Sequence, residues 1–132
     1  MDTFGPVVRQ NSLRLIYALA IENDLILRQL DVSTAFLNGD IEEEIFMKQP
    51  EKCIKKGFEN KVCKLNKAIY GLKQAGRQWF KKLNTALKDF GMNQLKNNQC
   101  IYYMRKNNVI MLLAVYVDNI VITHKDTSFI ML

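Results

Sequence analysis

The chain has 132 residues, 48% hydrophobic and 24% charged, which is enough for one domain with its own core and too apolar for a disordered chain. Its longest apolar run, Val109 to Val117, has the length of a strand rather than of a membrane span, and Met1-Asp2-Thr3-Phe4 lacks the basic start and apolar core of a secretory leader, so the expectation is an intracellular protein, of cytoplasm or nucleus, with no membrane partner. The net charge of +6 is uneven, because the stretch from Lys48 to Lys82 is dense in Lys and Arg and holds only Glu51 and Glu59 as acids, a distribution that suits a polyanion as well as a solvated surface.

Taken in chain order, Asn11-Ser12 reads as a helix N-cap, and Leu13, Ile16, Tyr17, Ala20 and Ile21 follow with helical spacing up to about Asn23. Leu25 to Val32 reads as a strand carrying Asp31 near its end, in an apolar neighbourhood. Asn38-Gly39-Asp40 is a turn signal, Glu42-Glu43-Glu44 reads as a solvated helix start, and Gln49-Pro50 to Asn60 as a polar loop. The clearest element is a second helix, on which Trp79, Phe80, Leu83, Ala86, Leu87 and Phe90 form an apolar stripe closed by Gly91. Cys100 to Arg105 and Val109 to Val117 flank Asn107-Asn108 as a hairpin, and a second tight reversal at Asp118-Asn119 leads into Ile120-Val121-Ile122-Thr123. The order helix, strand, helix and three strands predicts an α+β domain, an antiparallel sheet with helices on one face. Cys53, Cys63 and Cys100 show no Cys-x-x-Cys spacing and His124 is the sole histidine, so the thiols read as reduced and structural.

Asp31 and Asp118 stand where aspartate is awkward, beside apolar strands. Singly, each is satisfied as a cap or a turn residue. Together, two strand-end carboxylates are what a magnesium site for phosphoryl transfer requires, with hard oxygen ligands on rigid elements and coordination to spare for phosphates.

Four stretches go further: Gly5-Pro6-Val7-Val8-Arg9; Gln29-Leu30-Asp31-Val32-Ser33-Thr34-Ala35-Phe36-Leu37-Asn38-Gly39; Lys64-Leu65-Asn66-Lys67-Ala68-Ile69-Tyr70-Gly71-Leu72-Lys73-Gln74-Ala75-Gly76-Arg77-Gln78-Trp79; and Tyr116-Val117-Asp118-Asn119. In this order and spacing the chain resembles the reverse transcriptase of copia-type LTR retrotransposons. The resemblance implies a polymerase palm, a ferredoxin-like antiparallel sheet, with part of the fingers across residues 1–132. It implies RNA-directed DNA polymerase chemistry on a template–primer and a deoxynucleotide, with two magnesium ions held by Asp31 and Asp118. Thr34 and Ala35 would offer backbone N–H groups to the triphosphate. Phe36 would stand where an aromatic ring excludes a ribose 2′-hydroxyl, or else serve as a core phenylalanine. Gln74 would lie near the incoming nucleotide, and Tyr116, Lys73 and Arg77 along primer and template.

The chain departs from the family pattern at Asn119, where the hairpin carries a second catalytic aspartate. Against the family pattern, the chain is also expected to lack the upstream fingers and everything beyond the hairpin, and its ending drifts after Asp126. The expectation is therefore a truncated copy that is inactive as it stands. The alternatives are a non-enzymatic nucleic-acid-binding remnant using the Lys48–Lys82 stretch and a non-functional pseudogene product. An uncovered sheet edge in Val109 to Ile122 is expected to drive self-association.

Overall fold

A computed structural model describes residues 5–106 and 108–125. Their elements are α1 (Gln10–Glu22), β1 (Ile26–Asp31), a 3₁₀ turn at Ala35–Asn38, β2 (Phe46–Lys48), a second 3₁₀ turn at Glu51–Cys53, β3 (Val62–Lys64), α2 (Ala75–Asp89), β4 (Asn93–Leu95), β5 (Asn98–Lys106), β6 (Val109–Tyr116) and β7 (Asn119–His124). The mixed α+β class and the antiparallel sheet match the expectation, with five strands in the order β1-β7-β6-β5-β4. Among the described residues no helix is long and apolar enough to cross a membrane.

Local chemistry explains the helix ends. α1 begins earlier than its sequence suggests. Extended Arg9 is the N-cap, and its carbonyl accepts from the N–H groups of Ser12 and Leu13, so Asn11 and Ser12 lie inside the first turn. At the other end Asn23 Nδ2 donates to the Leu19 carbonyl at 2.9 Å, and Asp24 takes a left-handed φ of 51° to turn the chain into β1. α2 closes with a Schellman motif. Gly91, at φ 96°, gives its N–H to the Lys88 carbonyl, and Met92 gives its N–H to the Leu87 carbonyl. Met92 is buried beside partly buried Leu87, the apolar contact that accompanies this cap.

The central strands decide where the helices lie. Leu113, Ala114 and Val115 are buried in succession on β6, as are Ile120 and Val121 on β7. Consecutive strand residues point to opposite faces, so unbroken burial means that both faces are covered. The ladder places Tyr102, Leu113 and Ile122 in one row and Ile101, Ala114 and Val121 in the next. The first row belongs to a core with Trp79 and Leu83 of α2, and the second to a core with Ile16 of α1. The helices therefore sit on opposite faces of the sheet, not on one. A strand such as β6 with no polar alternation requires a second cover, and the sequence of α1 alone did not say which side it would take.

Three further expectations change. β1 is an edge strand whose six residues are all exposed, so Asp31 is not in an apolar interior. β6 and β7 are interior strands, so Val109 to Ile122 presents no free edge and the basis for self-association through it is gone. The reversal after β6 falls at Val117-Asp118, because Asn119 already pairs with Tyr116. The polar region 49–60 is flanked by β2 and β3, a small separate ladder pairing Met47 with Cys63. Together with β4 these are the strands that sequence pattern missed; each is three residues long, too short for an alternation to register. Cys53, Cys63 and Cys100 are all free thiols. Burial pushes the Cys100 thiol up to about 11, which keeps it protonated and inert.

Candidate active site

Asp31 ends β1 and Asn119 begins β7, and the two face each other in the ladder. Just beyond it, the Val32 N–H donates to the Asp118 carbonyl at 2.9 Å. The two aspartates singled out by sequence thus lie at one end of neighbouring strands. The turn that carries Asp118 is strained. Val117, a β-branched residue, holds a φ of 57°, a conformation that costs on the order of 1–3 kcal/mol. Positive φ at the first turn residue only is the signature of a type II′ hairpin, where glycine is favoured. The indole Nε1–H of buried Trp79 donates to the Val117 carbonyl at 2.7 Å and braces this turn from α2. Nothing in the helical stripe hinted at that bond, since a stripe reports burial and not where a single N–H points.

Asn119 is fixed by two hydrogen bonds. Its Nδ2 donates to Asp118 Oδ1 at 3.1 Å, and its Oδ1 accepts from Gln29 Nε2 at 2.9 Å. The carboxamide therefore turns its NH₂ group toward the neighbouring carboxylate, and Gln29 occupies its oxygen. Asp31 is exposed and Asp118 half-buried. No group of three or more His, Cys, Asp or Glu gathers among the described residues. Asp31 and Asp118 are the two carboxylates at this strand end, and carboxylate oxygens are the ligand type that a hard cation takes.

The segment after β1 supplies the neighbouring wall. Thr34 adopts a left-handed φ of 53° and opens the 3₁₀ turn, its carbonyl accepting from the Leu37 N–H. Ala35 is fully buried. Phe36 packs against the core, and its ring lies 4.3 Å from that of Tyr70 at an interplanar angle of 36°. Phe36, Lys73, Gly76, Trp79 and Val117 share the walls of a cavity of about 340 Å³. Gln74 occupies the N-cap position of α2 without making a side-chain capping bond, and Tyr116 is exposed beside Asn119. The structure thus joins Asp31, Asp118 and Asn119 at the hairpin, and Phe36 and Lys73 at the cavity behind it. Thr34 and Gln74 make no side-chain hydrogen bond to either group among the described residues.

A family model described as reverse transcriptase (RNA-dependent DNA polymerase) matches residues 1–131. The chain belongs to the reverse transcriptase family. It is 47% identical over 131 residues to the retrovirus-related Pol polyprotein from transposon TNT 1-94 of Nicotiana tabacum, covering 98% of the chain and 10% of that polyprotein. It is 39% identical over 126 residues to the Pol polyprotein from transposon RE2 of Arabidopsis thaliana, covering 96% and 9%. It is 31% identical over 133 residues to the transposon Ty1-H Gag-Pol polyprotein of Saccharomyces cerevisiae, covering 96% and 7%. These are copia-type elements, and the chain spans about a tenth or less of the length of these relatives. No solved structure matches it.

In this reverse transcriptase chain the basic stretch divides in two. Lys67 and Lys82 both pair with Asp40, Lys81 pairs with Glu42 at 2.7 Å, and Lys64 pairs with Glu44. Lys67 and Lys82 hold the Asp40 carboxyl below its usual range. Lys81 foremost, then Gln78, do the same for Glu42, to which the Arg77 guanidinium adds a weaker attraction. The acidic run after Gly39 is therefore no helix start but a clamp from the 40–44 segment onto α2 and β3. Lys48, Lys52, Lys55, Lys56 and Lys61 form no ion pair among the described residues, and Lys55 lies over the Phe58 ring at 4.8 Å. These lysines without an ion pair thus cluster on the 46–61 excursion, whereas Lys81 and Lys82 of α2 are paired.

Proposed function

We propose that this chain is the palm and part of the fingers of a copia-type reverse transcriptase, arranged for nucleotidyl transfer to a primer end. The observation that carries the reading is the meeting of Asp31 with the Val117-Asp118 turn, in a family whose chemistry is RNA-directed DNA synthesis. Asp31 and Asp118 would hold the divalent cation, magnesium by family. When bound, the cation would neutralise charge on the transferring phosphoryl group and lower the pKa of the attacking hydroxyl. The protein's own contribution is positioning and electrostatics. Asp31 presents its carboxylate from a strand end, where triphosphate oxygens can reach. Phe36, immobilised against Tyr70, would close the space next to the sugar, and Tyr116 would lie along the primer terminus. Thr34, Ala35 and Gln74 would line the nucleotide's path, with Lys73 and Arg77 toward the template–primer. Asn119 weakens the site, because it removes one anionic ligand and aims an N–H donor at Asp118.

The test is a graft. Residues 5–125 replace the matching segment of a complete, active relative, and primer extension is measured with magnesium. The chimera carrying Asn119→Asp should extend the primer, and adding Asp31→Ala to it should abolish extension. Undiminished synthesis without the Asp31 carboxylate would overturn the reading. A second reading, nucleic-acid binding without synthesis, is favoured by the five unpaired lysines of the 46–61 excursion. It requires binding that survives Asp31→Ala.

A further inference from the structure

We infer that Trp79 is a positioning residue that sets the orientation of Asp118 by locking the strained hairpin turn through its indole N–H. The inference rests on the reading of Asp118 as a cation-binding carboxylate. The turn has two residues, and each carbonyl is held by a donor from a different element. Val32, just past β1, gives its N–H to Asp118, and Trp79 of α2 gives its indole N–H to Val117 at 2.7 Å. The first bond ties the turn to the strand that carries Asp31, and the second fixes the peptide immediately before Asp118. Without that second bond, Val117 has reason to leave its left-handed φ of 57°, since a β-branched residue is disfavoured there. The rotation would swing the Val117–Asp118 peptide and carry the Asp118 side chain with it.

Trp79 is itself rigid. It is buried in the core with Leu83, Tyr102 and Val115. The helix behind it is seated on Gly39, where a Cβ would stand only 2.9 Å from the Trp79 backbone nitrogen. Any side chain at position 39 would collide with the backbone of Gln78 and Trp79 and force α2 to shift there. The connection runs from the turn after Phe36, through α2, to the carboxylate, and each link is packed or hydrogen-bonded rather than a loop.

The 132-residue chain contains one tryptophan, so residue 79 can be replaced cleanly by 3-benzothienylalanine, which keeps the ring shape and lacks the N–H. Trp79→Phe provides the genetically encoded counterpart. Amide NMR signals are followed without metal and during titration with Mn²⁺, whose paramagnetism broadens nearby signals. With the ring-shaped analogue, which leaves the packing against Tyr102 of β5 unchanged, losing the N–H should move the amide signals of residues 116–119 more than those of β5. It should also weaken Mn²⁺ broadening at Asp31 and Asp118 by about threefold to tenfold, the worth of one net hydrogen bond. Adding Val117→Gly should restore the Mn²⁺ affinity, because glycine holds a positive φ without help; a purely packing role for Trp79 predicts no such rescue. Unmoved signals at 116–119, or no recovery with glycine, would overturn the inference. If the parent chain shows no Mn²⁺ broadening at either aspartate, the cation reading of Asp118 fails, and the metal-free signals still decide whether the indole locks the turn.

Discussion

At Asn119 a single substitution can separate the stability of the hairpin from the proposed cation chemistry. Its amide links Gln29 to Asp118, and this stabilises the hairpin end without metal. Asn119→Asp would place a second carboxylate beside Asp118, remove the N–H donor and introduce like-charge repulsion. The expected outcome without metal is a stability lower by about 1 kcal/mol, seen as a lower melting temperature. The same change should strengthen Mg²⁺ binding at least tenfold, so adding Mg²⁺ should raise the variant's melting temperature above that of the parent. A thermal shift series with and without Mg²⁺ checks both halves. His124 is a second case. It is fully buried at the end of β7, and neither imidazole nitrogen has a hydrogen-bond partner among the described residues. Leaving a buried polar group unsatisfied costs about 1–3 kcal/mol. His124→Leu, apolar and of similar volume beside Met104 and Met111, should therefore stabilise the chain, with a midpoint shifted to higher urea and an unchanged denaturant slope.

The 40–64 region shows charge sorted by tertiary structure. Lys81 and Lys82 are occupied by the acidic clamp, whereas Lys52, Lys55 and Lys56 are not, so nucleic-acid affinity should depend on the excursion. Replacing those three lysines with glutamine should weaken oligonucleotide binding. It should also flatten the log–log salt dependence by about 0.9 for each duplex phosphate that is no longer neutralised. Replacing Lys81 and Lys82 in the same way should change that slope little. Fluorescence anisotropy between low and physiological salt separates the two. The clamp itself has a pH signature. Asp40 and Glu42 have depressed carboxyl pKa values in the folded chain, because Lys67 and Lys82, and Lys81, favour their charged forms. Their stabilising contribution is therefore present above the ordinary carboxylate range and disappears as pH falls through the lowered values. In a carboxyl ¹³C titration both groups should titrate below the ordinary carboxylate range, and Lys82→Ala should bring Asp40 back toward its usual value.

At the scale of the whole molecule, the two cores share the strands β5, β6 and β7, so they should melt together. Trp79 reports on the α2 side, and far-UV circular dichroism on both helices. The two urea transitions should coincide, and a separate early melting of helix would show that α1 is held independently of the sheet. Much of this architecture was legible in the residues alone. The α2 stripe with Gly91 and the β5–β6 hairpin announced themselves by period and turn chemistry, which are local properties of the chain. Asp31, Phe36 and Asp118 could be singled out as candidates because short motifs keep their spacing whatever surrounds them, and the fold brings Asp31 to the Asp118 turn. What sequence could not supply were relations across distance: α1 and α2 on opposite faces, β1 at an exposed edge, four lysines sharing the three carboxylates of Asp40, Glu42 and Glu44, and an indole N–H on the Val117 carbonyl. Periodicity and motif spacing are fixed by neighbours along the chain. The cover of each sheet face and the partner of each charge or N–H follow from which segments the fold brings together, and only the tertiary structure decides that.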